Sequence, residues 1–159
     1  MKVKAQPREL TRPLAGGAAG STVAVEPLDT GWFEVPQAFL ERAGKRTASL
    51  RMLGIGTSRS NWWTIPCPSF LVTHPSAGPF LVDTGLHPSV TSRPQANLGR
   101  IVTSFSKPRL EPGKDIGAQL RSRGMDARDI KTVVMTHMHF DHTSAMSELG
   151  SSTFIVSEP

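Results

Sequence analysis

Residues 21 to 36 read STVAVEPLDTGWFEVP: β-branched and apolar side chains without a helical period, closed by Pro36. Such a run predicts a strand or a pair of strands. PQAFLERAG, beginning with that proline, predicts a short helix stopped by Gly44. In TASLRMLGIG, Ala48, Leu50 and Met52 alternate with Ser49, Arg51 and Leu53, the pattern of a strand with one wet face. GTSRSNWWTIPCP carries Gly, Ser, Asn and two prolines and predicts a loop, with Trp62 and Trp63 covering an edge of the core or lining a pocket. The apolar runs SFLVTH and PFLVDTG, joined by PSAG, predict a hairpin. From Leu86 to Pro112 the pattern is weak and prolines recur, which predicts a long loop with a helical turn near Leu98 to Phe105.

Beyond that loop the pattern sharpens. EPGKDIGAQLRSRG spaces Ile116 and Leu120 four apart and offers Gly124 as a stop, so it predicts a helix. MDARDI predicts a turn with a short helical start, KTVVMT a buried strand, SAMSEL a short helix and STFIVS a last strand. This order implies an α/β (α+β) fold built on one mixed sheet with helices on one face. Residues 1–20 hold Gly, Ala, Pro and basic residues with no period, a disordered basic leader that leaves 21–159 for the folded unit.

Composition narrows the function classes. Apolar residues at 38% and charged residues at 19% suit a globular chain, and no apolar run approaches the ~20 residues of a membrane span, so no membrane partner is expected. Lys+Arg 18 against Asp+Glu 13 gives a formal charge of +5. Outside the leader these charges are scattered, which fits solvated surface and no nucleic-acid partner. The leader lacks the apolar core of a secretory signal, and a cytoplasmic location is expected. The single cysteine, Cys67, excludes an internal disulfide and a thiolate-rich zinc site; between two prolines it reads as a small hydrophobe.

The chemistry concentrates in THMHFDH, where His137, His139 and His142, three of the five histidines, fall within six residues. Side chains at i and i+2 point the same way only on extended backbone. His137 and His139 therefore converge if the strand continues past Thr136, and a bend then lets Asp141 and His142 present a second pair of donors. Imidazole and carboxylate are the ligands of zinc and similar divalent metals, and strand-end loops are where ligands gather in open α/β sheets. His74 and His87 each precede a proline at a turn and are assigned loop or surface roles.

The order His-x-His-x-Asp-His resembles the motif of the metallo-β-lactamase superfamily. FLVDTG resembles its Asp-Thr-Gly turn. PSFLVTHPSAGPFLVDTGLHP and MDARDIKTVVMTHMHFDHTSAM look like the lactonase-type branch that includes N-acyl-homoserine lactonases, with a likeness that covers roughly residues 47 to 159. The resemblance implies the N-terminal half of an αββα sandwich. It implies two divalent metal ions, zinc first among candidates, with His137 and His139 on one and Asp141 and His142 on the other, Asp141 also catalytic, and Asp83 supporting the loop from behind the ligands. It implies hydrolysis of a lactone, ester or thioester by a metal-activated hydroxide. A glyoxalase II-like thioesterase, a superfamily nuclease and a catalytically silent truncated protein are the alternatives. Two departures stand out: TSAM follows the motif where lactonase-like members often carry Gly-Gly, and the downstream ligands of the superfamily have no counterpart after His142. The chain is therefore expected to be an N-terminal portion, inactive alone, with an apolar sheet face that promotes self-association.

Overall fold

The computed structural model describes residues 22–41 and 48–157. The leader, and Gly44 at the end of the first predicted helix, lie outside them. Six strands form one mixed sheet in the order β4-β1-β2-β3-β5-β6: β1 Ala24–Pro36, β2 Trp62–His74, β3 Gly78–Val82, β4 Lys107–Arg109, β5 Thr132–Val134 and β6 Thr153–Ile155. The β1–β2, β2–β3 and β1–β4 pairs are antiparallel; β3–β5 and β5–β6 are parallel. The helices are α1 Gln37–Leu40, α2 Ala48–Met52, α3 Pro94–Phe105, α4 Ile116–Ser122 and α5 Phe140–Thr143.

One face of the sheet carries both core clusters. Leu28, Leu71, Leu81 and Val133 pack against Ile116 and Leu120 of α4 and Leu149. Phe33, Val35 and Cys67 pack against Leu86, Val90, Leu98 and Leu110, with Phe39 of α1 and Phe140 of α5 alongside. Each large side chain so buried contributes roughly 1.5–3 kcal/mol. α4 shows why its segment is helical. Asp115 caps its first turn by accepting from the Ala118 amide at 2.8 Å. At the other end the Gly124 amide bonds the Arg121 carbonyl and the Met125 amide the Leu120 carbonyl, with Gly124 at φ 74, the paired bonds of a Schellman stop. On the opposite face Phe70 pairs with Val82, Val82 with Val134 and Val72 with Phe80, and none of these joins either cluster.

The predicted strand or two at residues 21 to 36 is a single strand with a bulge. Asp29 pairs with Pro68 and Trp32 with Pro66, so Thr30 and Gly31 together oppose Cys67. The extra residue shifts the alternation by one and keeps Phe33 and Val35 on the same face as Leu28.

Two expectations fail and a third holds only in part. TASLRMLGIG is not a strand: Ala48–Met52 is helical and Gly54 and Gly56 follow at φ 80 and 71. Leu50, Leu53 and Ile55 are exposed, so no sheet neighbour rewards the alternation, and the helix preference of Ala, Leu, Arg and Met prevails. WWTIPCP is not loop but the first half of β2. Its prolines pair with β1 on one side, and β3 joins the other side only from Phe70 onward, so neither Pro66 nor Pro68 must donate to a second neighbour. The stretch from Leu86 to Pro112 is loop only in part: the helical turn expected near Leu98 to Phe105 is present within α3, which reaches back to Pro94 across a break at Gly99 (φ 80), and β4 follows; the break resets the apolar phase and hides the first half of the helix from periodicity.

The bulge is also a socket. A Cβ on Gly85, whose φ is 67, would lie 1.8 Å from Thr30 Oγ1, whereas one on Gly78, at φ 76, would meet nothing within 4 Å. Gly85→Ala therefore adds overpacking of ~1–3 kcal/mol to backbone strain of ~1–3 kcal/mol, while Gly78→Ala incurs the strain alone. Urea unfolding should show the larger loss for Gly85→Ala; equal losses would refute the close packing of turn against bulge.

Candidate metal centre

β3 and β5 run parallel in the register Val82↔Val134, so the Asp83-Thr84-Gly85 turn and the histidine loop leave the sheet side by side, at the carboxyl ends of the strands. Asp83 is the only non-glycine residue with positive φ (60) among those described, and it is 2% exposed. Its amide continues the ladder by donating to the Val134 carbonyl at 2.9 Å. Its carboxylate accepts from the Thr136 amide at 2.9 Å, from Thr136 Oγ1 at 2.7 Å and from His142 Nδ1 at 2.8 Å. The backbone of the turn holds the loop as well: the His142 carbonyl accepts from the Thr84 amide at 3.0 Å and from Thr84 Oγ1 at 2.6 Å, and the Ala145 amide donates to the Gly85 carbonyl at 3.2 Å.

These bonds fix imidazole tautomers. His142 donates Nδ1–H to Asp83. The Thr136 hydroxyl proton also goes to Asp83, so its 3.0 Å contact with His137 Nδ1 has the ring donating. Both rings then present Nε2 away from Asp83, the arrangement in which a second carboxylate or hydroxyl orients a ligating histidine.

The four predicted ligands are brought together unequally. One ligand atom from each of His137, Asp141 and His142 lies within 4.8 Å of the others. His139 is outside that trio, its ring edge-on to His137 at a centroid distance of 4.6 Å; the His137 and His142 rings are 4.2 Å apart. The resemblance pairs His137 with His139 and Asp141 with His142, whereas the geometry groups His137 with the latter two. Asp141 Oδ2 lies 3.2 Å from His142 Nε2. Burial pushes the Asp141 carboxyl up, but the hydrogen bond and charge of His142 outweigh it and hold the carboxyl low. His142 is held above its ordinary value of 6.5 first by the hydrogen bond it donates to Asp141, with the charge of Asp141 and the bond and charge of Asp83 adding, against burial.

Beside this cluster lies an apolar cleft of about 280 Å³, lined by Phe33, Val35, Phe39, Leu40, Ile65 and Phe140, with His139 and Asp141 at one end. His87 is not a mere surface group. Its Nε2 donates to Glu148 at 2.8 Å, and its Nδ1 accepts from the Ser89 amide at 3.0 Å. Neighbouring residues carried no sign of that pair, because Glu148 is remote in sequence. Cys67 is fully buried in the core, and burial pushes its thiol far up, as a small hydrophobe requires.

Residues 62–158 match the model of the metallo-beta-lactamase superfamily, and the chain belongs to that superfamily. It is 36% identical over 94 residues to the N-acyl homoserine lactonase AttM of Agrobacterium fabrum, covering 59% of this chain and 35% of that protein. AttM of Azorhizobium caulinodans is 34% identical over the same length and shares. The chain thus spans about a third of the length of these curated relatives. Among solved structures, an N-acyl homoserine lactone hydrolase with N-hexanoyl-L-homoserine at its catalytic metal centre shares the fold, with TM-score 0.62 and 18% identity over 82% of this chain and 46% of that one. A Bacillus thuringiensis AiiA variant with bound N-decanoyl-L-homoserine matches with TM-score 0.62 and 17% identity over the same shares.

The raised His142 pKa sets a pH dependence. In the metal-free protein the stability gained from imidazolium His142 is fully present below about 6.5, its unfolded value, and is lost as pH rises through the folded value. NMR titration of the His142 ring should give a midpoint above 6.5 that falls in Asp141→Asn and, to a lesser extent, in Asp83→Asn. A wild-type midpoint at or below 6.5 would show that neither carboxylate holds the proton.

Proposed function

We propose that this chain forms part of the catalytic domain of a metal-dependent hydrolase that opens lactones, with N-acyl homoserine lactones as the substrate class. The observation that carries the reading is the single buried carboxylate of Asp83, which sets the tautomer of His142 directly and of His137 through Thr136. The nitrogen and oxygen donors of His137, Asp141 and His142 fit a divalent cation, with His139 adjacent; zinc suits the set, as do manganese, iron and cobalt. When bound, one or two such ions supply Lewis-acid polarisation of the ester carbonyl and a water acidic enough to attack at neutral pH.

The protein's own residues do the rest. His142 gives up its Nε2 proton to become a ligand while Asp83 keeps the Nδ1 proton in place. Asp141 belongs to both the donor cluster and the cleft wall, so its carboxylate stands next to a substrate lodged there. The cleft is walled by aromatic and aliphatic side chains, which suits an acyl chain and supports a lactone or ester over a phosphodiester. Its volume is at the low end of small-molecule sites. The glyoxalase II-like thioesterase reading uses the same carbonyl chemistry and is separated by substrate.

Titration with zinc should show binding that His142→Ala abolishes; a wild-type chain that binds no zinc would sink the metal reading. Lactone opening should stay at background in the 159-residue chain, where three converging atoms are the ligand set among the described residues. It should appear when these residues are joined to the remaining length of the Agrobacterium relative, and disappear again with His139→Ala. Turnover of a glutathione thioester without lactone opening in that chimera would transfer the assignment to the thioesterase.

The sheet face that carries Phe70, Phe80, Val82 and Val134, half-buried and outside both core clusters, is proposed as a self-association surface. Sedimentation velocity should show concentration-dependent association that Phe80→Glu reduces; a wild-type monomer at all concentrations would refute it.

A further inference from the structure

α5 has four residues, and its N-cap, His139, makes no side-chain cap bond. A helix of one turn does not hold itself, since nucleation is unfavourable, and the loop that leads into it, Thr136 to His139, is exposed. Besides the bonds from Asp83 and Thr84 to the loop and His142, a further restraint acts at its other end. Ser144, the residue after α5, donates from Oγ to Asn97 Oδ1 at 2.5 Å and accepts at the same Oγ from the His87 amide at 3.0 Å. Asn97 Nδ2 donates to the Ser144 carbonyl at 3.1 Å. One amide of α3 thus grips both the hydroxyl and the carbonyl of Ser144, and His87, itself tied to Glu148, supplies the third bond. Ser144 lies in TSAM, one of the two departures noted in the sequence.

We propose that Asn97 and Ser144 are positioning residues for the metal centre: their clasp fixes the end of α5 and thereby holds Asp141 and His142 where their ligand atoms meet that of His137. Neither residue touches a ligand atom, and the inference rests on the reading that this trio holds a metal. Thr84 grips His142 through its carbonyl, which restrains the backbone near one ligand. Asn97 adds a restraint from a different element and so stops α5 from pivoting about that point. Outer-shell changes of this kind typically cost ~10–100-fold in metal affinity.

The test is cobalt titration of the 159-residue chain, followed by visible absorption, together with NMR of the His142 ring in the metal-free protein. The variants are Asn97→Ala, Ser144→Ala and Ser144→Thr, each checked for folding by circular dichroism. Asn97→Ala and Ser144→Ala should each weaken cobalt binding about 10-fold or more and alter the ligand-field bands. The double variant should lose little beyond either single one, because the clasp is one unit. Ser144→Thr, which keeps the hydroxyl, should restore affinity and spectrum. In the metal-free protein the alanine variants should shift or broaden the His142 ring signals. Wild-type affinity and spectrum in both alanine variants would overturn the proposal. If the wild type binds no cobalt, the metal reading fails, and the His142 signals still decide the clasp: unchanged signals in both variants overturn it, displaced signals support it. Should Asn97→Ala not fold, Ser144→Ala, which lacks a single hydroxyl, carries the same decision.

Discussion

The carboxylate of Asp83 is the interaction on which this site depends. It is buried, sits at a positive φ that few side chains adopt, and takes three hydrogen bonds from two residues of the histidine loop. Backbone strain of this kind costs ~1–3 kcal/mol and persists where surrounding structure demands it. Here the demand is geometric. With φ at 60 the chain turns at the end of β3, and the carboxylate reaches across to the end of β5. An extended residue would have continued the strand instead.

The sheet makes that reach possible. Parallel pairing of β3 and β5 puts two loops, separated by some fifty residues of chain, at the same edge. The bulge in β1 keeps Phe33 and Val35 on the face where Phe140 of α5 packs, with the Phe33 and Phe140 rings edge to face at 5.1 Å. The same bulge offers Thr30 as the surface against which Gly85 closes and whose carbonyl accepts from the Leu86 amide. The turn behind the histidines is therefore seated in the core, and the core cluster of Phe33 extends to the wall of the apolar cleft. The wall of the cleft and the seat of the histidine loop share one set of packed side chains.

Sequence and structure agree where the signal is local. The hairpin, α4 with its Asp115 cap and Gly124 stop, and β5 before the histidine loop each follow from turn chemistry or short-range period. They differ where local preference and tertiary context disagree. The prolines of β2 are breakers by propensity, yet they are tolerated because one side of that strand has no neighbour at their level among the described residues. The alternation of TASLRMLGIG promises a strand, but Ala48–Met52 is helical and pairs with no strand among the described residues.

By itself the sequence determined the chemistry of the candidate site and its place. Three imidazoles and a carboxylate within six residues after a β-branched run specify nitrogen and oxygen donors at a strand end, because residue type and spacing are local properties. The Asp-Thr-Gly turn was legible on the same ground, as a motif. Only the tertiary structure decided which donors converge, with His137, Asp141 and His142 together and His139 beside them. Only it decided that Asp83 sets two tautomers, and that Asn97, His87 and Glu148 brace Ser144 and its neighbours. The contacts of Asp83, Ser144 and His87 join residues 47 to 61 positions apart, and which side chains meet across such distances is fixed by strand register and helix packing, which no window of sequence contains.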